Sequence, residues 1–424
     1  MFRWKTGIAL CTLTAMTMAA CGESSDSSDA TDAPATTAAA DTATTEAAAE
    51  PSAATTDATE ATETTAAGSE TTATPTTEAV TVDSLLETYY AGTFRDLPTS
   101  APAPVTGKTI WVITLASASP SVANVSQGVT DAGNLLGWTT TVFDGAGSPT
   151  TWNDGIRRAV AAGADAIVLN IVECQPVQAA LEQAKEAGVV IYGVVGNDCD
   201  IPDVGGPKLF DGGIYQAVPG GPDAVTRDSA LARAAWITSV GGDSVEIIEM
   251  TQPDYLGVTI ASRAFHTALD EVCADCTVNE VPFNLTDLYG PELRAKTEAG
   301  LLQHGSANIV VFPYDTALLL GGAAAVTGSS RAADLTVMGG ECLASNVELI
   351  RTNAGQDACV AVPYPWMGWA TVDALNRIFQ GEPEVDSGIG MQLVDAEHNL
   401  PAEGVTYDGI GDYRTNYQKI WGVG

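Results

Sequence analysis

The sequence predicts an α/β protein of two lobes, each a parallel sheet flanked by helices, joined by a hinge. Three observations carry this. From about residue 108, short apolar runs alternate with amphipathic stretches of helical period. The alternation pauses in a passage holding Gly205, Gly206, Pro207, Gly212, Gly213, Pro219, Gly220 and Gly221, and then restarts. Upstream of residue 81 no such period exists.

In the first set, strands are predicted at 109–115, 139–143, 166–170 and 189–195, with helices at 122–136, 152–162 and 177–187. Gly137, Gly163 and Gly188 stand where those helices stop, the position that favours a left-handed residue. Parallel strands joined through helices take right-handed crossovers, which puts helices on both faces. In the second set, helices are predicted at 225–239, 259–272, 291–303 and 317–327, and strands at 244–250, 277–281, 308–312 and 335–338. A strand at 358–362 and a helix at 369–379 lead into a tail. Each half is Rossmann-like, and ligands of open parallel sheets sit beyond the carboxyl ends of the strands. Two such rims facing each other make a cleft that a hinge can close.

The remaining chain is read from composition. Arg3 and Lys5 precede an apolar run from Gly7 to about Met18, followed by Ala19-Ala20-Cys21, which is the form of an export signal. The run is too short for a comfortable membrane span. Cys21 after two alanines resembles the bacterial lipobox, which implies that the Cys21 thiol carries lipid and that Cys21 becomes the mature N-terminus. Residues 22–80 carry twelve acidic residues and no Lys or Arg, and lack the apolar content to fold. As a coil they span roughly 40–45 Å, enough to hold a domain off a bilayer. The predicted organisation is a signal at 1–20, a tether at 21–80 and a lead-in at 81–106 containing a short docking helix. An N-terminal lobe follows at 107–210, to which about 363–382 returns, then a C-terminal lobe at 211–362 and a tail at 383–424.

The formal net charge of −35 argues against nucleic acid and against electrostatic adhesion to anionic lipid. Beyond Cys11 and Cys21, six cysteines stand at 174, 199, 273, 276, 342 and 359. Six allow fifteen pairings. Cys174 and Cys199 each follow a strand by four residues, and those strands are expected to be neighbours, which favours Cys174–Cys199. Cys273–Cys276 is a tight local loop, for which a redox pair or half a zinc site is the alternative. Cys342 and Cys359 flank a crossing between lobes. His266, His304 and His398 are scattered and suggest no metal centre.

Polar and aromatic residues just past strand ends are the candidate ligand contacts. They are Ser117 and Ser119, then Trp152 as a stacking ring or a core residue, Asn170 and Glu173, Asn197 and Asp198. From the second lobe come Gln252, Tyr255 and Arg263, Phe283 and Asn284, Tyr314 and Asp315, Glu341, and Trp366 at the last crossing. Asn, Asp and Ser also serve as caps and turn formers in such places. No G-x-S-x-G elbow, HExxH helix or Walker loop is present, so no catalytic residues, cofactor or metal are predicted.

The stretch from about 107 to 380 resembles a known family, the type I periplasmic-type solute-binding proteins that serve as sugar-binding subunits of ABC importers. The carriers are Gly163-Ala164-Asp165-Ala166-Ile167, Ala184-Lys185-Glu186-Ala187-Gly188-Val189, Tyr314-Asp315, Val337-Met338-Gly339-Gly340-Glu341 and Asp373-Ala374-Leu375. The resemblance implies the type I periplasmic-binding-protein fold and a monomeric, lipid-anchored receptor outside the cytoplasmic membrane. Such a receptor closes on a small polar, sugar-like ligand and docks on a membrane permease. A sensory lipoprotein presenting its ligand to a membrane receptor, or an extracellular enzyme, would be the alternatives. The chain has Val194-Val195 where family members often carry Asp-Arg or Asp-Ser, and Glu341 where they often carry Asp.

Overall fold

The computed structural model describes residues 81–242 and 244–424, so the signal segment, Cys21 and the tether lie outside the described residues. The first element, α1 (Val82–Ala91), begins at a reciprocal cap in which the Thr81 side chain accepts from the Ser84 N–H and the Ser84 hydroxyl accepts from the Thr81 N–H. It buries Leu85 and Tyr89.

The first sheet is built from β1 (Thr109–Thr114), β2 (Thr139–Phe143), β3 (Ala166–Asn170), β4 (Val190–Val194) and the two-residue β5 (Gly212–Gly213). Their spatial order is β2-β1-β3-β4-β5, with every pair parallel. The connecting helices are α2 (Pro120–Leu135), α3 (Pro149–Ala161) and α4 (Gln178–Glu186). Helices α2 and α3 start two to three residues earlier than apolar period predicts. Pro120 and Pro149 occupy first-turn positions, where a fixed φ suits the helix and a missing N–H costs nothing. Gly163 and Gly188 follow α3 and α4 with φ of 71° and 78°. The sheet is buried on both sides: Ile110, Val112 and Val168 face one core, and Ile113, Ile167 and Leu169 face the other.

The second lobe starts with α5 (Gly221–Val240). It continues through β6 (Glu246–Thr251), α6 (Leu256–Val272), β7 (Thr277–Pro282), α7 (Leu285–Tyr289), α8 (Glu292–Gln303) and β8 (Ile309–Val311). The helix expected at 317–327 is broken into α9 (Asp315–Ala317), a π-helical turn at Leu318–Gly322, and α10 (Ala323–Gly328). Strand β9 (Thr336–Met338), helix α11 (Ala344–Arg351) and strand β10 (Ala358–Ala361) follow. Helix α12 (Tyr364–Ile378) then packs back on α2 in the first lobe.

The stretch 383–424, expected as a tail, is instead structural. Strand β11 (Gln392–Asp395) pairs antiparallel with β10, giving the second sheet the order β11-β10-β9-β8-β6-β7. Helix α13 (Tyr413–Trp421) seats on α12, where the Tyr413 ring stacks on Trp366 at 5.1 Å and Trp421 on Trp369 at 5.8 Å. Strand β5 also lies past the expected lobe boundary at 210, because Gly212 and Gly213 pair with Tyr192 and Gly193. The lead-in is pinned at the hinge by Thr93 N–H to Met391 O (2.9 Å) and Arg95 N–H to Gly388 O (3.0 Å). Within the described residues the chain passes between the sheets after β5, after β10 and after α12. No described helix is long and apolar enough to cross a membrane.

Candidate ligand-binding cleft

Register places the site. Thr114 pairs with Asn170 and Asn170 with Val194, so β1, β3 and β4 end level with one another. In the second sheet Thr251 pairs with Pro282 and Val311 with Met338. The loops beyond these ends meet across the lobes. Four of the non-glycine residues with positive φ sit on this rim: Ala146 (49°), Ile171 (60°), Val195 (53°) and Cys342 (57°). A left-handed β-branched residue is strained by roughly 1–3 kcal/mol and persists only where its surroundings hold it there. Two disulfides lie next to these positions, Cys174–Cys199 with Cα atoms 5.2 Å apart and Cys342–Cys359 at 5.4 Å. A third, Cys273–Cys276, closes the turn after α6.

On the first-lobe side Glu173 is the organising group. One carboxylate oxygen accepts the Asn197 N–H at 2.9 Å. The other accepts the Gly257 N–H of the opposite lobe at 3.0 Å. Tyr255, also of the second lobe, donates its hydroxyl to Ile171 O at 3.3 Å. Burial pushes the Glu173 carboxyl above the ordinary range, against the pull of these donors. Burial, then the nearby Glu173 and Glu341 carboxylates, push the Tyr255 phenol well up. Tyr255 therefore stands in one electrostatic neighbourhood with carboxylates of both lobes.

Further along the seam, Ser119 Oγ lies 3.1 Å from Thr316 Oγ1 of the other lobe. Tyr364, at the start of α12, donates to Glu341 Oε1 at 2.6 Å. Glu341 Oε2 accepts the Asp315 N–H at 3.0 Å. Burial, reinforced by the Asp315 charge, lifts the Glu341 carboxyl to about 7, while the Arg233 guanidinium works in the opposite direction. Arg233 itself donates to Phe312 O and Pro313 O, each at 3.0 Å. Gln252 accepts the Tyr314 hydroxyl. Leu319 and Leu343 of the second lobe pack against the first-lobe core, so the seam is apolar as well as polar.

The structure thus gathers Ser119, Glu173, Asn197, Gln252, Tyr255, Tyr314 and Glu341 along the seam between lobes. Arg263 lies at its outer edge, paired with Asp203 at 2.7 Å and largely exposed. Ser117 is half-buried past β1, its N–H donated to Asp144 at 2.8 Å. The other candidates serve the scaffold. Trp152 is a core residue, donating to Leu115 O at 3.0 Å rather than offering a ring face. Trp366 is 1 % exposed, sandwiched between Phe94 and Tyr413. Phe283 fills the second-lobe core. Asn170 holds Val122 O and Ser126 Oγ of α2. Asp198 accepts from the N–H groups of Cys199, Leu209 and Phe210, shaping its own loop. Asn284 caps α7. Asp315 is fully buried and accepts from the Gly340 and Leu343 N–H groups and from Gln356. Asp198, Asn284 and Asp315 accept from unpaired backbone N–H groups of their own lobe, and the Asn170 amide donates to a carbonyl and a hydroxyl of its own lobe.

Sequence reasoning missed Tyr364, Thr316, Gly257 and Arg233. Tyr364 follows the Pro363 turn, five residues ahead of the expected helix start. Arg233 lies mid-helix in α5, where spacing carries no signal for a buried cation. A separate cavity of about 280 Å³ lies at the crossovers, lined by Arg95, Tyr215, Val218, Asp228 and Met391 among others. None of the candidate ligand contacts lines it.

Two lobes of this topology, with their strand ends opposed, define the type I periplasmic-binding-protein fold, and the structural neighbours of the chain are consistently sugar-binding or solute-binding proteins of ABC transporters. One is a solute-binding protein from Mycobacterium smegmatis with bound glycerol. It has TM-score 0.59 and 18 % identity, over 71 % of this chain and 100 % of that one. A second is a solute-binding protein from Burkholderia graminis in complex with D-arabinose, with TM-score 0.57 and 15 % identity over 70 % and 98 %. A third, from Actinobacillus succinogenes with bound D-allose, has TM-score 0.58 and 14 % identity over 68 % and 98 %. No protein-family model matches the chain, and no curated protein does.

Proposed function

We propose that this protein is an extracytoplasmic solute receptor that takes a small polyhydroxylated ligand, sugar-like in chemistry, between its lobes and delivers it to the permease of an ABC importer. The observation that carries the reading is the seam itself. Buried carboxylates, Glu173 from one lobe and Glu341 from the other, share it with the phenols of Tyr255, Tyr314 and Tyr364. Carboxylates accept from ligand hydroxyls, and phenols both donate and offer a ring face. A few fixed polar groups in a closing cleft bind without chemistry. The ligands carried by the fold's neighbours, glycerol, D-arabinose and D-allose, are of this class. Lipidation of Cys21 would tether the receptor outside the cytoplasmic membrane through residues 22–80.

Mass spectrometry of solute carried through purification, followed by a thermal-shift panel of polyols, pentoses and hexoses, tests this. A true ligand raises the melting temperature by mass action. No retained solute and no shift with any member of the panel would remove the sugar-like assignment. Cys21→Ser should move the protein from the membrane fraction to the medium; retention would count against the anchor.

A further inference from the structure

The second sheet carries a feature that the cleft does not use. Glu249 on β6 and Glu280 on the edge strand β7 are direct register partners. Neighbouring strands lie about 4.8 Å apart and paired residues of parallel strands share a face, so the two carboxylates stand side by side. Like charges in that relation repel. Glu249 is also buried, at 5 % exposure, where an uncompensated charge is costly. On the same face α6 supplies His266, whose Nε2 lies 2.6 Å from Glu249 Oε2.

The geometry points to a transition-metal site, Zn2+ in chemistry, formed by Glu249, His266 and Glu280 and completed by solvent. Their donor atoms already lie within 4.8 Å of one another. A tetrahedral ion with bonds of about 2.1 Å needs donors about 3.4 Å apart, so side-chain adjustments of an ångström or so suffice. Two carboxylates and one imidazole suit zinc or manganese, whereas calcium asks for six to eight oxygens. Charge balance favours the ion. Two carboxylates with one imidazolium leave a net negative charge, while two carboxylates, a neutral imidazole and a divalent cation sum to zero. Arg233 approaches Glu249 from α5 but is committed to Phe312 O and Pro313 O, and Asp270 adds a further negative charge beside His266. Among the described residues a second cluster of ligand-type side chains, Cys174, Asp198 and Cys199, cannot bind an ion through sulfur because both sulfurs are consumed in a disulfide. His266 is partly open to solvent and Glu280 is exposed, so an ion has a path in.

The test is a calorimetric titration of ZnCl2 into the full-length protein at a pH above the ordinary His value of about 6.5. One saturable equivalent is expected, accompanied by a higher melting temperature. His266→Gln and Glu280→Gln should each weaken it by more than the roughly 10–100-fold that loss of a supporting group costs. Glu280 is at the surface, so its variant folds whatever becomes of the other. The chain has three histidines, and His304→Gln and His398→Gln should leave binding unchanged. The proposal is overturned by absence of saturable binding, by unchanged affinity in His266→Gln and Glu280→Gln, or by a site that follows His304 or His398.

Discussion

The hydroxyl of Tyr364, where the chain re-enters the first lobe, donates to Glu341 of the second lobe at 2.6 Å. This bond joins the two lobes through one buried carboxyl. Glu341 ionises near 7 in the folded protein against an ordinary 4.5, mainly because burial disfavours its charge. Between these values the folded state binds the proton more tightly than the unfolded chain, so this group's contribution to stability falls as pH rises from about 4.5 to about 7. Melting temperature measured across that range should decline more steeply in the wild type than in Glu341→Gln. Parallel profiles would show that Glu341 is not the titrating group.

Glu173 joins the lobes through the Gly257 N–H and orders Asn197 on its own side. Glu173→Ala removes an acceptor from both. We expect at least tenfold weaker binding of whichever solute shifts the wild-type melting temperature, about 1.4 kcal/mol. Isothermal titration measures it, and equal affinity would exclude Glu173 from closure.

Asp315 invites the opposite prediction. Its carboxylate is consumed by Gly340, Leu343 and Gln356, all within its lobe. Asp315→Ala strands those buried donors, and should cost about 3 kcal/mol or more in urea unfolding. A variant of native stability that had lost only ligand affinity would make Asp315 a ligand contact after all.

Gly128 on α2 and Gly368 on α12 let two helix backbones touch. A Cβ on Gly368 would stand 2.5 Å from Val125 O and 2.6 Å from the Gly128 Cα. Backbone cannot yield as a flexible side chain does, so Gly368→Ala should lose about 1–3 kcal/mol, read by the same unfolding experiment. Neutral behaviour would mean that α12 can shift on α2 without cost.

The Cys174–Cys199 bridge closes a loop of 25 residues next to the strained Ile171 and Val195. Cys174→Ser with Cys199→Ser should lower stability by about 3 kcal/mol on the chain-entropy account. Because the bridge sits beside Glu173 and Asn197, solute affinity should fall as well. A double variant with unchanged unfolding would place no constraint on this rim.

Much of the fold was legible in the sequence, because alternating apolar runs and helix-stopping glycines are local signals repeated along the chain. Strands such as 139–143 and 166–170 can be read to the residue because Gly137 and Asp144 bracket the first and Asp165 and Asn170 mark the limits of the second. The C-terminal stretch was not read, although Tyr413, Tyr417 and Trp421 recur every four residues, a helical stripe. Strand β11 has four residues and pairs antiparallel, so nothing local marks its partner.

The sequence by itself determined which residues stand beyond strand ends, since that follows from counting along each element. Only the tertiary structure decided which of those turn toward the other lobe. Asp315 and Glu341 look alike in sequence, yet one is spent on Gly340, Leu343 and Gln356 of its own lobe and the other meets Tyr364 across the gap. A buried polar side chain takes the nearest unpaired partner, and whether that partner belongs to its own lobe or to the facing one is set by packing alone.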